Sequence, residues 1–138
     1  MSDGRVLWHS TPQKLGIKPG YSCLFVNEPK HYREILGDFP EGFNEVGLAD
    51  NEPADFIHLF CGDEETLHNQ LPMMKKKLAK TGTLWVSWIK KASKNYDWTI
   101  TDMDVRNFGL KIGLVDVKVC AVDQDWSGLK FMYRKEDR

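Results

Sequence analysis

Three short and almost continuously apolar runs constrain the fold of this chain more than any other feature. They read SCLFVN at 22–27, DFIHLFC at 55–61 and TLWVSWI at 83–89. Strands that are buried on both faces have this pattern, and they are typical of a parallel sheet covered by helices. Segments with helical spacing lie between the runs, so we predict strands and helices that alternate through right-handed crossovers. The expected fold class is α/β.

Helices are predicted where capping residues and apolar spacing agree. A short helix is expected at 30–36, where Gly37 would stop it, and another helix near 101–111, with Gly113 after its end. A longer helix follows Asp63, which suits an N-cap, and Thr81-Gly82 provides its stop. Pro72 lies inside this longer helix, so we expect either a kink or two abutting short helices.

Two parts of the chain give weaker signals. Thr11-Pro12 suits the start of a single helical turn that Leu15-Gly16 would close. Residues 45–49 have room for one weak strand. Only about five residues link it to the run that begins at Asp55, whereas a parallel crossover needs a dozen or more. The weak strand is therefore either very short or antiparallel, and the sequence leaves both alternatives open.

Two alternating runs near the end of the chain predict a β-hairpin. In residues 115–121 the valines and Ala121 share one face, and Asp116, Lys118 and Cys120 share the other. Residues 129–134 alternate in the same way. Such strict alternation indicates a hairpin with one wetter face, at the edge of a sheet.

Composition narrows the class of protein. A chain of 138 residues, 41% apolar and 28% charged, suits one globular domain spanning 1–138. Its formal net charge of −1 argues against broad attraction to nucleic acid or to an anionic membrane. There is no signal-peptide pattern, and no apolar run approaches the roughly 20 residues that span a bilayer. The three cysteines, Cys23, Cys61 and Cys120, fit no disulfide framework, so we expect a cytoplasmic location.

Polar residues follow the predicted parallel strands at their carboxyl ends, where ligands sit in open α/β sheets. A small pocket is one interpretation, with two lysines that could hold an anion; ordinary strand ends with solvated lysines are the alternative. The residues of this candidate pocket are Asn27, Glu28, Cys61, Asp63, Ser87, Trp88, Lys90 and Lys91.

Cys61 could be a nucleophile, since it lies between a strand and a helix N-terminus, where a thiolate is favoured. A buried, unreactive cysteine is the alternative that the sequence favours. His58 lies three residues earlier and points to the opposite face of the strand, so it cannot be the base. We expect it to be a hydrogen-bonded core histidine. No metal is predicted, because no His, Cys, Asp or Glu grouping has metal-ligand spacing.

Two tryptophans, Trp98 and Trp126, fall in polar loops. A tryptophan in a loop either covers the core or forms an exposed recognition anchor. The loop around Trp126 also contains Asp123 and Asp125, and we single it out as the candidate interaction loop.

Several segments resemble known families. LGIKPGYSCLFVN at 15–27 resembles the stretch leading into the first strand of class I methyltransferases, and KTGTLWVSW at 80–88 resembles the glycine turn and strand that follow their fourth helix. Residues 101–134 lie where those enzymes carry their last helix and hairpin. The resemblance implies a single Rossmann-like, methyltransferase-type three-layer domain, with a mostly parallel sheet and a C-terminal antiparallel hairpin.

Two longer segments resemble a bacterial family of small proteins of unknown function. They are LWVSWIKKASK at 84–94 and GLVDVKVCAVDQDWSGLKF at 113–131. Membership of this family would carry over the fold and no activity.

The segment after the first strand departs from the methyltransferase pattern. A cofactor-binding methyltransferase needs a glycine-rich turn there, because only glycine lets the backbone approach the ligand closely. This chain has NEPKHY at 27–32, no glycine until Gly37, and Pro29, which removes one backbone donor. We therefore expect no S-adenosylmethionine in the usual pose, and no other cofactor.

These observations lead to three functional hypotheses. The leading one is a non-catalytic Rossmann-like module that binds a small molecule or a protein partner. The second is a small methyltransferase-related enzyme with an unusual pocket around Asn27, Ser87 and Lys90. The third is a subunit that docks through the edge of its terminal hairpin, since exposed strand edges recruit partners.

Overall fold

The computed structural model describes residues 15–37 and 42–138. These residues form one six-stranded sheet, with strands β1 Ser22–Val26, β2 Asn44–Glu45, β3 Ala54–Phe60, β4 Leu78–Ile89, β5 Leu114–Ala121 and β6 Trp126–Tyr133. The strand order is β2-β1-β3-β4-β6-β5. Strand β1 pairs in parallel with β2 and β3, and β3 pairs in parallel with β4, whereas β6 is antiparallel to β4 and β5.

Three α-helices are described: α1 (Tyr32–Leu36), α2 (Glu64–Lys77) and α3 (Asp102–Lys111), followed by a 3₁₀ turn at Lys135–Asp137. The predicted N-cap Asp63 accepts a hydrogen bond from the Thr66 amide, and a reciprocal capping box starts α3. No helix in the described ranges is long and apolar enough to cross a membrane. The predicted start of a helical turn at Thr11-Pro12 lies outside the described residues.

Apolar side chains pack on both faces of the sheet. On one face, side chains of α2 and α3 cover Ile57, Leu84 and Phe131. On the other face, α1 and the segment from Leu15 to Ile17 cover Phe56 and Trp85. The domain therefore has three layers, and the predicted α/β fold with a mostly parallel sheet and an antiparallel C-terminal hairpin is confirmed.

The weak strand is shorter than predicted and lies earlier in the chain. It covers Asn44–Glu45 rather than 45–49 and is parallel to β1. A turn follows it: Asp50 donates its amide to the Gly47 carbonyl, and the Gly47 amide donates to the Asp50 carboxylate. This turn ends the strand. Of the two alternatives that the sequence left open, the structure has the very short strand.

The predicted stop at Thr81-Gly82 is wrong, because both residues lie inside β4. The helix ends at Lys77, and the strand begins directly at Leu78. At Gly82 an added Cβ would lie 2.8 Å from the Asp55 carbonyl oxygen, so this glycine allows close approach of β3 rather than a turn. Helix α2 is continuous through Pro72, so the alternative of two abutting helices is also wrong.

The terminal hairpin lies at the edge of the sheet, as predicted, but its alternation is interrupted. The pairing of β5 with β6 shifts register between Asp116 and Lys118, as in a β-bulge. Asp116 forms an ion pair with Arg106 of α3, while Val117 and Val119 are exposed. A bulge in an edge strand hinders pairing with further strands.

Candidate functional site

The carboxyl ends of β1, β3 and β4 meet at one edge of the sheet, and the antiparallel β6 begins there. The chain leaves β1 for β2 on one side and returns to β3 on the other side, so the strand order reverses between β1 and β3. In doubly wound folds the ligand binds at such a reversal. We call the gap between the carboxyl ends of β1 and β3 the switch-point crevice.

Asn27 spans the switch-point crevice. Its side-chain amide donates one hydrogen bond of 3.2 Å to the Phe60 carbonyl of β3 and one of 2.6 Å to Gln70 Oε1 of α2. Its backbone has φ of 60°, the left-handed conformation that asparagine tolerates better than most residues. The amide therefore joins three elements at the point where a ligand would approach the backbone.

Glu28 is bound by Arg33 and does not point a free carboxylate into the crevice. Arg33 donates two hydrogen bonds to Glu28, of 2.6 and 2.9 Å, and two of 2.7 Å to Glu45. The hydrogen bonds that Arg33 donates to Glu28, and secondarily those to Glu45, raise the pKa of Arg33, and the bonds from Arg33 lower the pKa of Glu45. We call this set the Arg33 clamp; it ties the loop after β1 to the end of β2.

Cys61 and Asp63 follow β3 and have separate roles. Cys61 is fully buried, and burial, together with the nearby charge of Asp63, raises the pKa of its thiol to about 12. A thiol with such a pKa stays protonated at neutral pH, which favours the unreactive core cysteine. The Asp63 carboxylate caps α2, and the hydrogen bonds from Thr66 lower its pKa.

The candidate interaction loop is held by its own polar groups. The Asp123 carboxylate accepts hydrogen bonds of 2.8 Å from the backbone amides of Asp125 and Trp126. Its other oxygen lies 2.7 Å from His31 Nε2. The Lys90 ammonium donates a hydrogen bond of 2.6 Å to the Asp123 carbonyl, and the Lys90 backbone amide donates one of 2.8 Å to the Asp125 carbonyl.

Two residues of that loop are buried. The Asp125 carboxylate accepts hydrogen bonds from Ser93 and Asn95. Trp126 is 7% exposed and packs edge-on against Phe60, with ring centroids 5.1 Å apart. Its indole N–H has no hydrogen-bond partner among the residues that the structure describes. This position makes Trp126 a cover over the core, whereas Trp98 is 45% exposed.

Ser87 lies in a buried polar chain. His58 Nε2 is 2.7 Å from Ser87 Oγ, and His58 Nδ1 is 2.7 Å from the Tyr32 hydroxyl. All three side chains have no exposed surface, and an added Cβ at Gly128 would lie 3.1 Å from Ser87 Oγ, so β6 covers the serine. Burial lowers the pKa of His58 to about 3. The predicted core histidine is confirmed, and we call these residues the Tyr32–His58–Ser87 chain.

Trp88, Lys90 and Lys91 line a cavity of about 400 Å³ on the face that α2 and α3 cover. The other five residues of the candidate pocket do not line it. A larger cavity of about 600 Å³ lies elsewhere, between β5 and the C-terminal residues, and includes Val115 and Arg134. The residues of the predicted pocket therefore do not form one site. Asn27 fills the switch-point crevice, Ser87 is buried beside His58, and Trp88, Lys90 and Lys91 line a separate open cavity.

Solved structures share this architecture. A SAM-dependent methyltransferase from Aquifex aeolicus matches with a TM-score of 0.61 and 14% identity, covering 96% of this chain and 94% of that one. The fold is that of the SAM-dependent methyltransferases. A second methyltransferase, from Clostridium acetobutylicum, has a TM-score of 0.57 and 8% identity over 96% and 95% of the two chains. The DhpI–SAH complex has a TM-score of 0.60 and 8% identity over 97% and 86%.

At these identities the likeness to methyltransferases extends to the fold alone. No family model and no curated protein matches the chain. Within the described part of this methyltransferase-type domain, no three His, Cys, Asp or Glu side chains are grouped to hold a metal.

Sequence reasoning missed two contacts: His31 with Asp123 at the carboxyl ends of the strands, and His58 with Ser87 in the interior. The sequence indicated that His58 and Ser87 each need a partner, but not that they contact each other. His58 and Ser87 are the polar residues inside two apolar runs, at 55–61 and 83–89, and the runs were predicted to be buried strands. Two buried polar side chains in such strands need partners. Nothing in the sequence indicated that His31 would reach the hairpin loop.

Proposed function

We propose that this protein is a non-catalytic Rossmann-like binding module whose own side chains occupy the site that a cofactor would take. The contact of Asn27 with the Phe60 carbonyl across the switch-point crevice carries this proposal. In doubly wound folds the ligand is bound there by backbone amides and glycines. Here an amide side chain crosses the gap, and Pro29 follows two residues later without a backbone donor.

The Arg33 clamp supports the same proposal. In dinucleotide-binding folds an acidic residue beyond the first strand accepts hydrogen bonds from ribose hydroxyls. Glu45, at the end of β2, is the corresponding acid in position, but both of its oxygens accept hydrogen bonds from Arg33. A ribose would have to displace a guanidinium that is bonded to two carboxylates. Such bidentate charge-assisted pairs are stronger than neutral hydrogen bonds.

The burial of Cys61 and Ser87 also favours a binding role. In the described part of the chain, the Cys61 thiol is buried with a raised pKa, and Ser87 is closed off beneath β6. A nucleophile must reach its substrate and be activated by a base within hydrogen-bond reach. Ser87 contacts a histidine but has no access to a substrate, and among the described residues Cys61 lacks both a base and access.

Calorimetric titration with S-adenosylmethionine and S-adenosylhomocysteine tests this proposal. We expect no saturable heat from either compound with the wild-type protein. Saturable micromolar binding of either compound that Asn27→Trp removes would contradict the proposal. Asn107→Trp, which places the same side chain at an exposed position of α3, is the matched control and should behave like the wild type.

A methyltransferase-related enzyme is the second candidate, and the His31–Asp123 contact favours it. The Asp123 carboxylate is 7% exposed and holds Nε2 of a histidine side chain that is 41% exposed. A carboxylate that orients an accessible imidazole is a common arrangement for a general base. The same titration separates the two candidates, since only the enzyme requires the methyl donor to bind.

Two further assignments belong to this proposal. The segments at 84–94 and 113–131 support membership of the bacterial family of small proteins that they resemble. The three described cysteines are free, which is consistent with a reducing, cytoplasmic location.

A further inference from the structure

The cavity beside β4 is a separate feature from the switch-point crevice. It opens at the carboxyl end of β4, next to the first turn of α3 and the β5–β6 hairpin, and measures about 400 Å³. Ligand pockets have volumes of roughly 300–1,000 Å³ and combine an apolar lining with a few polar groups. The cavity therefore has the size and position of a binding site for a small molecule.

Apolar side chains form one part of its lining. Trp88 and Ile100 belong to the core, with 6% and 3% of their surface exposed, and both reach the cavity. Val119 stands at its mouth and is 52% exposed. An indole and two branched aliphatic side chains suit a flat or aliphatic group of a ligand.

Two cations border the same cavity, and neither forms an ion pair with a described carboxylate. The Lys90 ammonium donates to the Asp123 carbonyl, a neutral group that leaves the charge in place. The Lys91 ammonium lies 4.9 Å from the centroid of the Trp98 ring. Asp102 is the one acidic residue in the described lining of this cavity, so the lining contains two lysines and one acid.

We propose that this cavity binds a small organic anion, a carboxylate or sulfonate with an aromatic or aliphatic body. The apolar body lies against Trp88 and Val119, and the anionic group faces Lys91. The Ser127 hydroxyl, which lines the cavity and has no hydrogen-bond partner among the described residues, supplies a further donor. This inference rests on the proposed binding role and names the ligand class for it.

Isothermal titration calorimetry with a matched pair of probes tests the inference: 2-naphthalenesulfonate and the neutral 2-naphthalenemethanol. We expect saturable binding of the sulfonate and much weaker binding of the alcohol. Lys91→Gln should weaken sulfonate binding about three- to fivefold, as expected for a partly exposed charge. Val119→Trp should abolish it by blocking the mouth. Added salt should weaken binding of the sulfonate.

The chain offers a matched control for each variant. Lys94→Gln removes a lysine from the same loop that does not line this cavity, and Val117→Trp changes an exposed valine of the same strand. Both should bind the sulfonate within twofold of the wild type. Thermal unfolding shows whether the Val119→Trp variant folds. If that variant does not fold, the surface variant Lys91→Gln still tests the inference.

Three outcomes would overturn the inference: no saturable binding of the sulfonate at millimolar concentration, equal affinity for the neutral alcohol, or binding that neither Lys91→Gln nor Val119→Trp changes. These outcomes do not depend on the S-adenosylmethionine titration. The two failures can therefore be distinguished. Micromolar cofactor binding that Asn27→Trp removes would contradict the proposed binding role, whereas the three outcomes above would contradict only the proposed class of ligand.

Discussion

His58 Nε2 lies 2.7 Å from Ser87 Oγ in the interior of the domain, and neither side chain has exposed surface. The Tyr32 hydroxyl oxygen lies 2.7 Å from the other ring nitrogen, His58 Nδ1. A phenol is the better donor of the two hydroxyls, so the arrangement that satisfies most groups has Tyr32 donating to Nδ1 and Nε2–H donating to Ser87. A serine beside an oriented histidine is a catalytic pattern elsewhere. Here burial makes the chain part of the core.

The neutral state of His58 predicts an acid-sensitive fold. Burial lowers the pKa of His58 from 6.5 to about 3, so between these values the unfolded chain binds a proton that the native state does not. The free energy of unfolding therefore falls as the pH falls below 6.5, and the contribution is fully present above that pH. We expect a loss approaching about 1.4 kcal/mol per pH unit from this group. Urea unfolding from pH 7 to 4.5 measures it.

The control for this pH dependence is His58→Gln, which keeps a polar side chain but cannot titrate. Subtracting its pH profile from that of the wild type cancels the carboxylates and the remaining histidines. Equal slopes for the two proteins would show that His58 is not the cause. Proton NMR gives a second measurement, since the C2 proton of His58 should not titrate above pH 4.5.

A second prediction concerns the hydrogen bonds of the Tyr32–His58–Ser87 chain. Tyr32→Phe leaves His58 Nδ1 buried without a partner, which we expect to lower the free energy of unfolding by about 1–3 kcal/mol. Tyr96→Phe removes a hydroxyl from a side chain that is 40% exposed, and should change it by less than about 0.5 kcal/mol. Denaturant unfolding compares them, and similar losses for both variants would refute the internal role of the phenol.

Strands β1 and β3 could be predicted from local pattern, and the partner of His58 could not. The apolar runs at 22–27 and 55–61 place β1 and β3 because a fully buried strand leaves its signal in consecutive residues. The contact of His58 with Ser87 depends instead on the register between two strands that are far apart in the sequence. A single sequence does not specify that register.

The boundaries that were wrong have local physical causes. Apolar residues continue at helical spacing up to Leu78, but Leu78 already pairs with Ala54 in the sheet, so tertiary pairing replaced the last helical turn. Gly82 resembles a helix stop, but its function is close packing against β3. The candidate pocket was predicted as one site because strand ends converge, while alternation along β4 sends Ser87 and Trp88 to opposite faces.

A third prediction tests the packing of α3 on the sheet. A Cβ added at Gly109 would overlap the ring of Phe131, which is fully buried. We expect Gly109→Ala to lower the free energy of unfolding by about 1–3 kcal/mol through overpacking, although alanine favours helices. At Gly62 an added Cβ meets nothing within 4 Å, so Gly62→Ala is the neutral control. Phe131→Leu should reduce the penalty of Gly109→Ala in a double-mutant cycle, and additive effects would contradict the overlap.

A fourth prediction separates the two properties of Asn27, its backbone conformation and its side-chain amide. Asn27→Ala removes the hydrogen bonds to Phe60 and Gln70 and places alanine at a φ of 60°. Each lost hydrogen bond is worth about 0.5–1.5 kcal/mol, and the left-handed conformation is unfavourable for alanine by about 1–2 kcal/mol. We therefore expect Asn27→Ala to lower the free energy of unfolding by about 2–5 kcal/mol.

Asn27→Gly loses the same hydrogen bonds but adopts the left-handed conformation without steric penalty, so it should be about 1 kcal/mol more stable than Asn27→Ala. Urea unfolding of the three proteins at pH 7 measures both differences. Gln70→Ala removes one of the two side-chain contacts and should fall between the wild type and Asn27→Gly. If glycine and alanine are equally destabilising, the backbone conformation at the switch-point crevice does not contribute, and Asn27 acts through its amide alone.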